Sequence, residues 1–157
     1  MKRIHWTELL IFVVGTELVG ALSALVAGGG FSAYYQSLMK PPLSPPGWLF
    51  PVMWGILYAV MGVSAYLVRH SESFAKRGAL IVYAVQLFVN FLWSPVFFGL
   101  KSLGGAVIVI ALLVVSVAVM LWKFYPIRKA AALMNLPYLA WVLYAAYLTV
   151  GCWVLNR

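Results

Sequence analysis

Five long apolar runs limit the folds open to this chain more than any other feature of its sequence. The runs cover residues 9–27, 48–68, 79–100, 103–122 and 131–155. At a helical rise of about 1.5 Å per residue, each run can cross a hydrocarbon core of about 30 Å. Lipid offers the backbone no hydrogen-bond partner, and the apolar residues do not alternate as barrel strands do, so each run must be helical. We predict an all-α membrane protein whose residues 1–157 form a single bundle of five transmembrane helices.

The composition agrees with this prediction. Charged residues make up 9% of the chain and the mean hydropathy is +0.99, whereas soluble domains carry about 25% charged residues. A net charge of +8 could indicate nucleic-acid binding. Here, however, the basic residues lie between the apolar runs, where such residues set the orientation of membrane proteins. We therefore expect a lipid membrane as partner and no nucleic acid. A single cysteine, Cys152, excludes an internal disulfide.

The distribution of basic residues predicts how the bundle is oriented. Eight lie on the side of the N-terminus, namely Lys2, Arg3, Arg69, Lys76, Arg77, Lys123, Arg128 and Lys129, and three lie opposite, namely Lys40, Lys101 and Arg157. Positive loops stay inside, which places the N-terminus in the cytoplasm. The first run is too long for a secretory signal and is interrupted by Glu17, so we expect an uncleaved helix in the cell membrane, with an outer membrane as the alternative location.

The first connection, residues 28–47, is rich in proline. Its prolines include Pro41, Pro45 and Pro46, which follow Lys40, so part of it must have extended backbone. A rigid connection of this length in a small protein suggests a lid over one end of the bundle. The alternative is a simple spacer.

Three of the runs carry aromatic and polar residues at helical spacing, which places each set on one helix face. The second run has Phe50, Trp54 and Tyr58, the third has Gln86, Asn90 and Trp93, and the fifth has Tyr138, Trp141, Ala145 and Leu148. Amides are costly against lipid, so Gln86 and Asn90 should point into the bundle, either as links between helices or as parts of a ligand site. The N–H of a buried indole needs a hydrogen-bond acceptor, which a ligand could supply.

Other polar and small residues allow more than one interpretation. Glu17 lies mid-span, where a carboxyl group either packs against a neighbouring helix or handles protons or substrate. Gly20, Ala24 and Gly28 form a small-residue face that suits close packing within the bundle or in a homodimer. His5 and His70 lie at the membrane edge without metal-ligand spacing, so we expect no metal site.

Three segments resemble the TspO/MBR family of tryptophan-rich sensory proteins and translocator proteins, formerly called peripheral-type benzodiazepine receptors. The resemblance starts at Tyr34 and Tyr35 and continues in residues 40–62 (KPPLSPPGWLFPVMWGILYAVMG). Residues 86–99 (QLFVNFLWSPVFFG) and 137–148 (PYLAWVLYAAYL) complete it in the same order. It implies a five-helix bundle whose first loop closes a pocket for porphyrins, sterols and benzodiazepine-type ligands. By motif, Trp54, Asn90, Trp93 and Trp141 would line that pocket, with Tyr58, Ala145 and Leu148 beside them.

The chain departs from the family pattern at three places. Leu43 stands where the loop motif usually has tryptophan, and Thr149 follows Leu148 where asparagine is usual. Tyr147 is too far from Arg157 to form the animal members' C-terminal sterol motif, which puts sterol recognition by that motif in doubt.

The resemblance implies a binding protein for tetrapyrroles such as protoporphyrin IX, with a sensing, trafficking or stress-regulatory role and no required cofactor. One alternative is a light-dependent porphyrin-degrading enzyme in which Trp54, assisted by Trp93, is the redox-active residue. Another is a transporter of small molecules or sterols, although inverted repeats and broken helices are not evident in the sequence.

Overall fold

The structure, a computed structural model, describes residues 4–28 and 31–157, with backbone only at 31 and 32. Within these ranges five helical spans are long and apolar enough to cross a membrane, which confirms the predicted fold class. Lys2 and Arg3, which contribute to the predicted orientation, lie outside the described residues, as do Gly29 and Gly30 of the first connection. The cytoplasmic N-terminus therefore stays a prediction from charge.

Most helices match the predicted runs to within a few residues. They are α1 (Trp6–Val26), α2 (Phe31–Ser37), α3 (Leu49–Arg69), α4 (Lys76–Ser94), α5 (Leu103–Phe124), α6 (Lys129–Leu133) and α7 (Leu136–Leu155). The helix predicted over 131–155 is interrupted between α6 and α7, where Asn135 leaves helical geometry at ψ 2°. Pro137 follows in the first turn of α7, a position that proline tolerates because its missing N–H would have no partner there.

The helices form a closed bundle in which chain neighbours are antiparallel. Helix α1 packs on α3 and α4, α4 packs on α5, and α5 packs on α7. Aromatic rings join α3 to α7, since the Trp54 and Tyr138 centroids are 6.2 Å apart and those of Phe50 and Trp141 are 6.0 Å apart. These ring contacts bring together the aromatic faces that were predicted on the second and fifth runs, which we call stripes.

Two glycines allow α1 and α3 to approach closely. A Cβ built on Gly62 would lie 2.6 Å from the Val13 Cα atom, and one built on Gly20 would lie 2.2 Å from the Tyr58 ring. A larger residue at Gly62 would push the backbones of α1 and α3 apart, and one at Gly20 would displace the Tyr58 ring. Gly20, predicted as part of a small-residue face, is therefore used within the bundle, and the homodimer stays a prediction.

Helix α4 changes geometry at Pro95, and a side chain of α1 compensates. Residues Pro95–Gly99 form a π-helical turn in which the Leu100 N–H donates to the Pro95 carbonyl at 2.8 Å. Proline has no N–H, so the carbonyl of Phe91, four residues earlier, loses its usual helical donor. The Ser23 hydroxyl of α1 donates to that carbonyl at 2.7 Å. Ser23 is buried, so this bond joins α1 to α4 inside the bundle.

The first connection contains the short helix α2 and then the extended, proline-rich segment that the sequence predicts. This segment docks on the end of α7. The Tyr147 hydroxyl donates to the Pro42 carbonyl at 2.8 Å, and the Tyr144 hydroxyl donates to the Leu43 carbonyl. The Asn156 side chain accepts from the Met39 N–H at 2.9 Å and donates to the Met39 carbonyl at 2.8 Å. The connection is thus bonded to the bundle rather than a free spacer.

Replacing Ser23 by alanine should destabilise the bundle by about 1–2 kcal/mol, because the Phe91 carbonyl would be buried without a donor. Thermal unfolding of detergent-purified protein measures the effect. Ser116→Ala is the matched control, since the Ser116 hydroxyl bonds only the Leu113 carbonyl of its own helix. Equal melting temperatures for the two variants would contradict the link between α1 and α4.

The double change Tyr144→Phe and Tyr147→Phe should loosen the proline-rich segment while keeping both aromatic rings. Hydrogen exchange of the backbone amides between Met39 and Trp48, followed by mass spectrometry, should speed up by roughly tenfold. Tyr125→Phe is the control, because Tyr125 lies at the other end of the bundle and does not contact this segment. An unchanged exchange rate in the double variant would show that the two hydroxyls do not hold the segment.

Candidate functional site

A cavity of about 400 Å³ lies between α1, α3 and α4. It falls in the range of small-molecule sites, which is roughly 300–1,000 Å³. Three of its lining residues, Ala21, Ala24 and Pro51, are exposed on the outer surface of the bundle. The mouth of the cavity therefore opens sideways between α1 and α3, towards the region that lipid would occupy.

Aromatic rings form most of the inner wall. Trp54 stacks on Tyr58 with a centroid distance of 5.5 Å, and Trp93 lies 5.8 Å from Phe98 at right angles. Together with Phe50 these rings line the cavity. The indole Nε1 of Trp93 is buried and has no hydrogen-bond partner among the described residues. A flat apolar ligand with an acceptor atom would suit this wall.

A chain of hydrogen bonds forms the polar floor of the cavity. The Tyr58 hydroxyl donates to Asn90 Oδ1, Asn90 Nδ2 donates to the Tyr138 hydroxyl, and that hydroxyl donates to Gln86 Oε1, each at 2.8 Å. Gln86 and Tyr138 are fully buried, and both amides point into the bundle as predicted. Of this chain, Asn90 and Tyr58 line the cavity, whereas Gln86 and Tyr138 lie behind them. Asn90 thus links helices and also borders the cavity, and its part in a ligand site stays a prediction.

Glu17 is the one acidic residue that lines the cavity among the described residues. It lies near the middle of α1 and is partly exposed. No basic side chain of the described part of the chain lies within salt-bridge distance of it. Its carboxyl group has a hydrogen-bond partner in the backbone of Ala59 on α3, but no counter-ion among the described residues.

The stripe on α7 has a different position from the other two. Ala145 and Leu148 border a narrow cleft of about 10 Å³ behind Trp93 and Phe50, which is roughly the volume of one water probe. Trp141 packs between Phe50 and Tyr144, and its buried Nε1 has no partner among the described residues. These α7 residues support the cavity wall from behind rather than lining the cavity in this conformation.

The predicted lid residues lie above this cleft and do not line the main cavity. Pro41 is buried against Gly151, Pro45 accepts a hydrogen bond from the Tyr35 hydroxyl at 3.4 Å, and the Pro46 carbonyl accepts from the Leu49 N–H at 3.1 Å. Burial raises the pKa of Tyr35 above its ordinary value, so its hydroxyl stays protonated and donates. Tyr35 meets Phe50 edge-on at 5.4 Å and so connects this segment to the cavity wall.

The ammonium group of Lys40 is occupied at the end of α2. Its Nζ donates to the Tyr35 carbonyl at 2.9 Å and to the Leu38 carbonyl at 3.2 Å, and it lies 4.9 Å from the Tyr35 ring centroid. These contacts cap the last carbonyls of the helix. Lys40 therefore stabilises the connection and does not reach the main cavity.

A second recess adjoins the cavity at its outer end. It has a volume of about 610 Å³ and shares Ala27 and Phe98 with the main cavity. Lys101 and Tyr34 line it, with the Lys101 Nζ 5.5 Å from the Tyr34 ring centroid. The recess beside the cavity is thus lined by a basic residue, Lys101, which the sequence analysis did not single out as a site residue.

The opposite end of the bundle contains a small polar cluster. The rings of His5 and His70 stack at 5.3 Å, and His70 Nε2 lies 3.2 Å from Glu8 Oε2. No sequence pattern predicted this pairing, because His70 lies at the end of α3 whereas His5 and Glu8 lie at the start of α1. No group of three or more potential metal ligands occurs among the described residues.

Several lining residues were absent from the sequence-based prediction. Gly20, Ala21, Ala24, Ala27 and Gly55 create the opening, and Ser94 and Phe98 form its far wall. Small residues usually indicate helix packing, so their role in leaving space between α1 and α3 had no distinct signal in the sequence. Pro95 was the one available hint of altered backbone beside the wall.

Comparison with known proteins agrees with this architecture. The sequence pattern that defines the TspO/MBR family matches residues 11–154. The protein named CrtK from Rhodobacter capsulatus is 39% identical over 96% of this chain and 93% of its own length. The tryptophan-rich sensory protein of Cereibacter sphaeroides is 34% identical over 98% and 94%, and the bovine translocator protein (Bos taurus) is 33% identical over 97% and 92%.

These matches extend over nearly the whole of both chains in each pair, and the family pattern covers all five membrane-spanning helices. They agree with the resemblance carried by the loop and by the aromatic stripes of α3, α4 and α7. This chain is a multi-span membrane protein that belongs to the TspO/MBR family.

Proposed function

We propose that this protein is a membrane receptor that binds porphyrins, with protoporphyrin IX as the test ligand, and related hydrophobic molecules in the cavity between α1, α3 and α4. The main observation that supports the proposal is that aromatic rings form one wall of this cavity, next to the hydrogen-bonded polar floor. Trp54, Tyr58, Trp93 and Phe98 offer flat apolar faces, and Asn90 offers an amide. A planar macrocycle buries its faces against such rings.

The shape of the site also suits the polar part of a porphyrin. Protoporphyrin IX carries two propionates on one edge, and a carboxylate inside the apolar cavity would be costly without a partner. The recess that adjoins the cavity contains Lys101 at its rim. A macrocycle that extends from the cavity across Ala27 and Phe98 would place its propionates near that ammonium group.

The sideways mouth suggests how such ligands enter. Porphyrins and other hydrophobic ligands partition into membranes, and the opening between α1 and α3 is bordered by small residues. In this proposal a bound tetrapyrrole changes the packing of α1 against α3, and this change serves a role in sensing or trafficking. The receptor requires no cofactor in this proposal.

Trp54→Leu should weaken the binding of protoporphyrin IX by about tenfold, because one of the stacking faces is lost. The measurement is a titration of detergent-purified protein in the dark, following the porphyrin absorbance and fluorescence rather than tryptophan emission. Trp153→Leu is the matched control, since Trp153 lies outside the cavity beside Arg157. Absence of saturable binding to the wild type would refute the proposed function.

The same samples under illumination separate the receptor from the alternative activities. A receptor leaves the porphyrin absorbance intact, whereas a porphyrin-degrading enzyme yields a bilin-like band that disappears in Trp54→Leu. A transporter would instead move the ligand across proteoliposomes in a flux assay.

A further inference from the structure

The cavity combines a carboxyl group with aromatic faces and lacks a basic residue among its described lining residues. Glu17 enters from α1, and Trp54 and Tyr58 enter from α3 opposite it. A carboxylate on this wall would repel a carboxylate of the ligand, so a bound porphyrin would keep its propionates outside the cavity, in the recess that Lys101 lines.

A carboxyl group in the middle of a transmembrane helix is costly unless it faces a partner or a polar space. Here the described residues supply no basic partner, and the hydrogen bond to the carboxyl group comes from the uncharged backbone of Ala59 on α3. Aromatic faces attract cations that lie within about 6 Å of the ring centroid, with Trp the strongest. A carboxylate beside stacked Trp and Tyr rings is therefore chemically matched to an organic cation.

We propose that the cavity binds a second class of ligand, lipophilic organic cations, in which Glu17 is the counter-ion and the rings of Trp54 and Tyr58 hold the charged centre. Glu17 then determines specificity between cationic and anionic ligands. This assignment goes beyond the tetrapyrrole receptor, since it names a different ligand charge and a residue on a different helix.

The route of entry fits this ligand class. The exposed lining residues Ala21, Ala24 and Pro51 place the mouth on the lipid-facing side of the bundle. Lipophilic cations concentrate in membranes and would reach Glu17 from there without crossing the docked loop. The missing side chain of Gly20 lets the Tyr58 ring lie directly against α1 at the cavity wall.

The test uses tetraphenylphosphonium as the probe and full-length protein in detergent, with binding measured by isothermal titration calorimetry. Wild-type protein should bind the cation, and Glu17→Gln should lower the affinity about tenfold or more because the counter-ion is lost. Glu17→Asp keeps the charge and should retain more of the binding than Glu17→Gln. Glu8→Gln is the matched control, since it removes one acidic residue from the same helix at a position outside the cavity.

Titration of the same samples with protoporphyrin IX separates this proposal from the preceding one. Glu17→Gln removes a negative charge from the cavity that the porphyrin would occupy, so we expect it to strengthen porphyrin binding while it weakens cation binding. Equal tetraphenylphosphonium affinities for the wild type and Glu17→Gln would overturn the cation site, as would a wild type that binds porphyrin but no cation. Cation binding that depends on Glu17 without any porphyrin binding would support the cation site and refute the tetrapyrrole receptor. A thermal melt of each variant shows whether it is folded.

Discussion

The hydrogen-bonded chain from Tyr58 through Asn90 and Tyr138 to Gln86 connects three helices at the centre of the bundle. In a membrane no water is available to satisfy these groups, so they must bond each other wherever the helices pack. The requirement fixes which faces of α3, α4 and α7 point inward. The aromatic residues one turn away on the same faces are then directed to the interior, where they form the cavity wall.

Helix α1 has a different relation to this core. Glycines at positions 20 and 62 let it approach α3, and Ser23 binds the carbonyl that Pro95 leaves without a helical donor. Nevertheless most of its large side chains are exposed, and small residues leave a gap towards α3. The bundle is therefore tightly bonded at its polar centre and open along one seam, which is the arrangement that an apolar ligand needs for entry from lipid.

The sequence predicted the position of a site residue correctly where that type of residue could have only one environment in a membrane. The amides of Gln86 and Asn90 had to be buried, and the structure places both inside. Trp141, Ala145 and Leu148 shared the same helical spacing as the other stripes, yet they lie behind the wall rather than on the cavity. Periodicity gives the face of a helix but not its distance from a cavity, which depends on how the other helices pack. Lys40 was likewise predicted in the lid, and its contacts with the carbonyls of α2 could not be read from the sequence.

By itself, the sequence determined the number of membrane spans, their helical nature and the inward faces of three of them. These follow from hydropathy, from the need to satisfy the backbone in lipid and from the cost of exposed amides, all of which act within one helix. Only the tertiary structure decided that Glu17 lines the same cavity as Trp54 and Tyr58, that Ser23 binds the Phe91 carbonyl, and that His70 meets Glu8. Each of these contacts joins residues on different helices, and their geometry depends on packing distances that the order of residues along the chain does not contain.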